Sequence, residues 1–203
     1  MLLCDIGNTS YHFLDENRDY KESVKSFSPE SINENIYYIC VNPQIKKVLE
    51  NLDNWIDLAA HVDMKHYYET MGVDRIFACE AIDNGVIIDA GSAITVDVVE
   101  DGVFQGGFIY PGTIAMNQTY KNISSALEYP FNYKLDLQTL PKNSRDAISY
   151  GYLKTLYAEV TSYKKDIYVT GGDAELLLDI FSNATLEKNL IFDGMKKVLH
   201  KVL

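Results

Sequence analysis

The sequence predicts an α/β protein built from two related halves, residues 1–75 and 76–203. Three observations carry that expectation. One pattern occurs twice, as Leu3-Cys4-Asp5-Ile6-Gly7-Asn8-Thr9 and as Ile87-Ile88-Asp89-Ala90-Gly91-Ser92-Ala93-Ile94-Thr95. Each copy is an apolar run closing on Asp-x-Gly, followed by small hydroxyl or amide residues. A second alternating run then returns, Tyr11-His12-Phe13-Leu14 after the first copy and Val96-Asp97-Val98-Val99 after the second. That is a strand, a tight glycine turn and a returning strand. Elsewhere, buried-strand runs alternate with segments of helical spacing, the signature of mixed α/β units.

Taken in order, the hairpin over residues 5–14 leads into a polar strand near 20–27. Ser28-Pro29-Glu30 signals a helix start, because Pro suits the first turn and Ser can cap it. Residues 36–41 form a continuous apolar run and predict a buried strand. After Asn42-Pro43, Ile45, Val48, Leu49 and Leu52 recur at helical intervals over 44–52, and a short strand is expected over 55–60. A helix is predicted over 75–82, and Asn84-Gly85 turns the chain into the second half. There, strands over 86–90, 93–100 and 104–110 are separated by tight turns that include Asp101-Gly102. A helix over 113–127 precedes an irregular loop over 128–142, rich in Tyr, Pro and Asn. The pattern then gives a helix over 144–163, a strand over 167–170 and a helix running through Phe181, with a closing helix over 193–203.

Composition narrows the functional classes. The 203 residues are 47% hydrophobic and 23% charged, an ordinary globular balance. A net charge of −11 argues against nucleic acid, which needs a basic surface. An anionic substrate must therefore be held by local groups rather than drawn in by long-range attraction. Cys4, Cys40 and Cys79 form no CxxC pair and sit in or beside apolar runs, so buried reduced thiols are expected. No basic segment with a long apolar run precedes Asp5, and no run reaches the length of a membrane span, which together suggest a cytoplasmic protein. The spacing of His61 and His66 matches no zinc pair, and the 15 tyrosines are scattered as packing residues.

Chemistry concentrates at the glycine turns. A carboxylate at a strand end can hold a metal, while glycine and hydroxyl residues leave backbone N–H groups free to cradle phosphate. On the residues alone, Asp5 and Asp89 are equally consistent with plain capped turns, and Asp74-Arg75 with a helix N-terminus bearing a surface ion pair. Order decides between these readings. Asp5-Ile6-Gly7-Asn8-Thr9, Gly72-Val73-Asp74-Arg75, Asp89 to Thr95, Gly106-Gly107-Phe108-Ile109-Tyr110-Pro111-Gly112 and Thr170-Gly171-Gly172-Asp173 occur in a sequence that resembles the type III pantothenate kinases. Those are members of the acetate/sugar kinase–Hsp70–actin fold superfamily.

The resemblance implies two duplicated ribonuclease H-like lobes of the actin-like ATPase fold, with a nucleotide cleft between them. It implies ATP-dependent phosphorylation of pantothenate to 4'-phosphopantothenate, the entry step of coenzyme A biosynthesis. By the same resemblance Asp5 organises Mg²⁺ beside the ATP phosphates, with Ile6, Gly7, Asn8 and Thr9 forming a first phosphate loop. Gly91, Ser92 and Thr95 serve the second phosphate side, and Gly171 and Gly172 the adenosine side. Asp89 supports a monovalent cation, K⁺ or ammonium. Asp74 is the expected general base, Arg75 the partner of the pantothenate carboxylate, and Gly72 and Val73 further pantothenate contacts, Gly72 letting the backbone approach the substrate. Tyr67 and Tyr68 precede Gly72 where such kinases place an aromatic substrate contact, and Ser144 follows Asn143 where they place a contact shared across a homodimer. Ser92 replaces the commoner Thr, and Ile94 a smaller residue, which keeps the hydroxyl but alters loop packing. The competing readings are a non-catalytic regulatory relative of the same fold and a kinase for another small hydroxyl acceptor.

Overall fold

The computed structural model describes residues 1–202, and within them the duplication is a duplication of sheets. The first sheet contains β1 (Leu2–Ile6), β2 (Ser10–Leu14), β3 (Asp19–Ser23), β4 (Ile36–Cys40) and, after helix α1 (Pro43–Leu49), β5 (Trp55–Asp57). Helix α2 (Val73–Ala81) follows. The second sheet contains β6 (Gly85–Ala90), β7 (Ala93–Glu100), β8 (Val103–Pro111) and, after helices α3 (Thr113–Ile123) and α4 (Ser144–Ser162), β9 (Ile167–Thr170). Helix α5 (Ala174–Leu177), β10 (Thr185–Leu186) and helix α6 (Leu190–Val202) complete the chain.

Strand order is β3-β2-β1-β4-β5 in one sheet and β10-β9-β6-β7-β8 in the other, the same topology written from opposite ends. In each, the first strand pairs antiparallel with the second and parallel with the fourth. A strand flanked on both edges and both faces must be apolar throughout, which is why Leu2–Ile6 and Gly85–Ala90 are nearly continuous hydrophobic runs broken by a carboxylate. The polar third strand of the first sheet is an edge, as its exposed residues require.

Chain contacts give two compact units, Met1–Ile82 together with the segment from Asn189 onward, and Asp83–Lys188. The division thus falls at Ile82/Asp83, beyond α2, rather than at residue 75. The reason is packing. Helix α2 buries Ile76, Phe77, Ala78 and Cys79, and α6, expected in the second half, returns to lie on it with Phe192, Met195, Val198 and Leu199 buried. In the first unit, Leu2, Cys4, Ile6, Phe13, Ile36, Tyr38 and Trp55 form one core, in which Phe13 stacks on Tyr20 and Tyr38 meets Trp55 edge-on. In the second unit, Val86, Ile88, Val96, Val98 and Val169 pack with Leu153, Leu156 and Val160 of α4. All three cysteines are buried and outside any disulfide, and burial pushes the Cys4 thiol well up.

Several element ends depart from the sequence reading. The polar strand stops at Ser23, and Ser28 precedes only a single 3₁₀ turn, Pro29–Ser31, with its hydroxyl on Glu30 rather than on a backbone N–H. Asn42 is a true cap, accepting from Gln44 and Ile45 N–H, so α1 begins at Pro43. The strand at Trp55 ends at Asp57, whose carboxylate turns the chain into a 3₁₀ helix, Leu58–His61. The helix at Thr113 breaks at Ser124, which is extended and caps a separate turn, Ser125–Leu127. The helix before Phe181 is one turn, and β10 is a two-residue strand that no sequence pattern marks. Leu203, the expected last helical residue, lies outside the described residues. Among the described residues no helix is long and apolar enough to cross a membrane.

Candidate active site

In the first unit, Asp5 stands on β1 opposite His12 of β2, one residue before the strand ends at Ile6. The turn is closed by Gly7 N–H donating to Ser10 O at 3.0 Å, and Asn8 and Thr9 are exposed at its tip. This places the Asp5 carboxylate at the base of a turn whose tip residues are exposed.

The Gly72-Val73-Asp74-Arg75 block begins α2, with Gly72 at the cap position. Asp74 lies in the first helical turn, its Oδ1 accepting Arg75 N–H at 2.8 Å. Arg75 is no surface residue: it is 5% exposed, its Nη1 donates to the Tyr68 hydroxyl at 2.6 Å, and its guanidinium lies 5.8 Å from the Tyr68 ring centre. The surface ion-pair reading of Arg75 is therefore overturned. Tyr67 turns the other way, its hydroxyl donating to Glu80 at 3.0 Å.

In the second unit, Asp89 opposes Thr95 on β7 and Thr170 on β9. Three chain turns meet at its strand end. Gly91 N–H bonds Ala93 O at 2.9 Å, Gly112 N–H bonds Ser92 O at 3.0 Å, and Asp173 N–H bonds Ala90 O at 2.9 Å. Gly171 must be glycine: its φ is +95°, and a Cβ there would stand 2.3 Å from Asp89 Oδ1 and 2.4 Å from Ala90 O. Gly172, by contrast, has open space around it. Thr95 Oγ1 is buried and without a hydrogen-bond partner, an arrangement that costs free energy in the protein by itself.

Neighbouring groups that sequence reasoning passed over complete this end of the sheet. Tyr133, in the loop read as irregular, bonds Thr113 and feels the Asp173 charge, and burial foremost pushes its phenol pKa up. Tyr152 of α4 donates to Pro111 O. No motif marks them, since an aromatic in an irregular loop carries no positional signal. Ser144 lies apart. Asn143, not Ser144, caps α4 by accepting Asp146 N–H at 2.9 Å, which leaves Ser144 exposed on the first turn. Asp173 occupies a cap position without a side-chain cap bond. Gly106 sits at a bulge opposite Val98 and Val99, a structural use of that glycine.

Both implied cations fit the donors present. Among the described residues no group of three or more His, Cys, Asp or Glu gathers, so a divalent ion at Asp5 would draw its remaining ligands from phosphate oxygens and water, the habit of Mg²⁺. Asp89 and the orphaned Thr95 hydroxyl are oxygen donors of the kind that hard cations take.

The profile of type III pantothenate kinases matches residues 16–166. A type III pantothenate kinase of Sulfurimonas denitrificans is 61% identical over 99% of this chain and 98% of its own, and one of Helicobacter hepaticus is 44% identical over 99% of both. A crystal structure from Campylobacter jejuni, described as a Baf family transcriptional activator, superposes with a TM-score of 0.89 at 40% identity, covering 100% of this chain and 98% of that one. A structure from Sinorhizobium meliloti described as a 2-dehydro-3-deoxygalactonokinase shares the fold, with a TM-score of 0.58 at 10% identity over 99% of this chain and 96% of that one. The two-sheet fold is thus shared with that kinase structure, and the chain belongs to the type III pantothenate kinase family.

Proposed function

We propose that the protein transfers the γ-phosphate of ATP to the primary hydroxyl of pantothenate, giving 4'-phosphopantothenate at the start of coenzyme A biosynthesis. The observation that carries this is the start of α2: a carboxylate, Asp74, one residue from a buried guanidinium, Arg75. Phosphoryl transfer needs positioning and charge neutralisation more than covalent chemistry. Arg75 supplies a fork that pairs with the acceptor's carboxylate. Asp74 accepts the hydroxyl proton as that oxygen bonds to the γ-phosphorus, and the bond from the γ-phosphorus to the β-bridging oxygen breaks to release ADP.

Asp5 and the turn of Gly7, Asn8 and Thr9 hold the phosphates, with Mg²⁺ neutralising their charge when bound. By the family resemblance Gly91, Ser92 and Thr95 serve phosphate, Gly171 and Gly172 serve the adenosine, and Asp89 supports K⁺ or ammonium. The family resemblance further implies a homodimer in which Ser144 reaches the neighbouring site. The setting is the cytoplasm, where coenzyme A is made.

The Campylobacter jejuni structure's description favours a second reading, a regulator that keeps the fold. ADP release from the purified protein with Mg-ATP and pantothenate, in K⁺ and in Na⁺, separates the two. Pantothenate-dependent turnover, faster in K⁺ and reduced about 10²–10⁴-fold in Asp74→Asn, is expected. Folded protein that binds ATP but shows no turnover in K⁺ or ammonium would support the regulator.

A further inference from the structure

The two adjacent tyrosines before Gly72 are tied to opposite ends of the same helix. Tyr67 is extended, with φ −124° and ψ 152°, and consecutive side chains of an extended segment point opposite ways. Tyr68 accordingly reaches Arg75 near the start of α2, while Tyr67 reaches Glu80 near its end. Glu80 is a part-buried carboxylate, its side chain 17% exposed, on a helix whose preceding residues, Arg75 to Cys79, are all buried. Its Oε1 accepts the Tyr67 hydroxyl and its Oε2 accepts Lys201 Nζ from α6, both at 3.0 Å. The Lys201 side chain is 62% exposed, so that ion pair is a rim contact of little worth, and the tyrosine bond is the one that matters.

We propose that Glu80 is a positioning residue for the acceptor half of the site: by holding the Tyr67 hydroxyl it fixes the register of residues 67–72, and so stands Tyr68 on the Arg75 guanidinium. The two tyrosines then divide their work. Tyr67 is the anchor, and Tyr68, 44% exposed, is the one that faces the acceptor. The inference rests on the reading of Arg75 as the anchor for the acceptor's carboxylate.

Steady-state kinetics of Glu80→Ala test it. Loss of this one hydrogen bond, felt through the tyrosine pair, is expected to raise KM for pantothenate about five- to tenfold, with kcat and KM for ATP unchanged to within about twofold. Glu80→Gln keeps an acceptor oxygen and is expected to restore KM, and Lys201→Ala to leave it unchanged. Tyr67→Phe is expected to match Glu80→Ala, and the double variant to be no worse than either single one. A wild-type KM in Glu80→Ala, or additive effects in the double variant, would overturn the proposal. Amide hydrogen exchange reads the same tie without turnover. Tyr67 N–H bonds Met64 O at 3.1 Å and Met71 N–H bonds Tyr68 O at 2.9 Å, and both are expected to exchange faster in Glu80→Ala and to recover in Glu80→Gln. Should the wild type fail to phosphorylate pantothenate, the reading of the reaction falls, and exchange still decides the tie: unchanged protection at both amides refutes it.

Discussion

Gly194→Ala sets two physical effects against each other, and the sign of the outcome separates them. Gly194 lies within α6, where glycine is a poor helix former, so propensity alone predicts that Ala stabilises by about 0.5–1 kcal/mol. The contact with α2 predicts the reverse. A Cβ on Gly194 would stand 1.8 Å from Phe77 O and 2.8 Å from Phe77 C, whereas Cβ atoms essentially never approach closer than 3.0 Å. These are backbone atoms and have no rotamer by which to move away. The helices must separate by at least about 1.2 Å, loosening the contacts of Phe77, Phe192 and Met195, all buried at the junction. Overpacking of this kind costs about 1–3 kcal/mol, and a backbone clash belongs at the upper end. With the propensity gain deducted, the net is about 2 kcal/mol of destabilisation. For a chain of 203 residues that lowers Tm by about 4–8 °C, read by circular dichroism on heating. Because α2 begins with Asp74 and Arg75, kcat is expected to fall as well. A Tm unchanged or raised by a few degrees would refute the close α2–α6 approach.

Three further perturbations test other parts of the structure. Thr95→Val removes a buried hydroxyl that has no protein partner, so Tm is expected to rise by the equivalent of about 1 kcal/mol while KM for ATP increases; a loss of stability would show that the hydroxyl is satisfied within the protein. Gly171→Ala combines a left-handed φ with a Cβ 2.3 Å from Asp89 Oδ1, so urea denaturation should show a loss of about 2–4 kcal/mol and ADP release should collapse, whereas Gly172→Ala is expected to be mild in both. Asp15 accepts a bond from the Arg18 side chain, with Asn17 N–H adding a second, and its pKa is lowered to about 2. A depressed carboxylate stabilises the folded state above its ordinary range, near 3.8, and that contribution is lost as pH falls through about 2. Acid titration of Asp15→Asn is expected to show a shallower loss of stability between those values than the wild type, and identical slopes would refute the pairing.

The parts of the fold legible in the sequence are those written in short-range pattern. The two Asp-x-Gly hairpins announce themselves because a central strand must be apolar and its turn must contain glycine, and both constraints act over a few residues. Element ends were less legible because they depend on which side chain reaches a backbone N–H. Asn42 caps α1, but Ser28 spends its hydroxyl on Glu30, and Ser124 ends one helix by capping the next turn. The sequence reads as a closing helix over 193–203 and the helix in fact begins at Leu190, yet nothing local says that it crosses back to α2.

The candidate site divides along the same line. Asp5, Asp74, Asp89 and Gly171 could be named only because their turn and helix-start blocks occur in the order that resembles the family. Tyr67 and Tyr68 could not be told apart, since adjacent tyrosines differ only in what their hydroxyls reach. The answer lies at Glu80, a carboxylate near the end of α2 that no motif marks. A buried Arg75 has to be given a partner in the free protein, and Tyr68 provides one. Holding that tyrosine in place then falls to groups outside the motif. A motif can name the groups that meet the substrate, while the side chains that aim them are found only where the fold brings distant positions together.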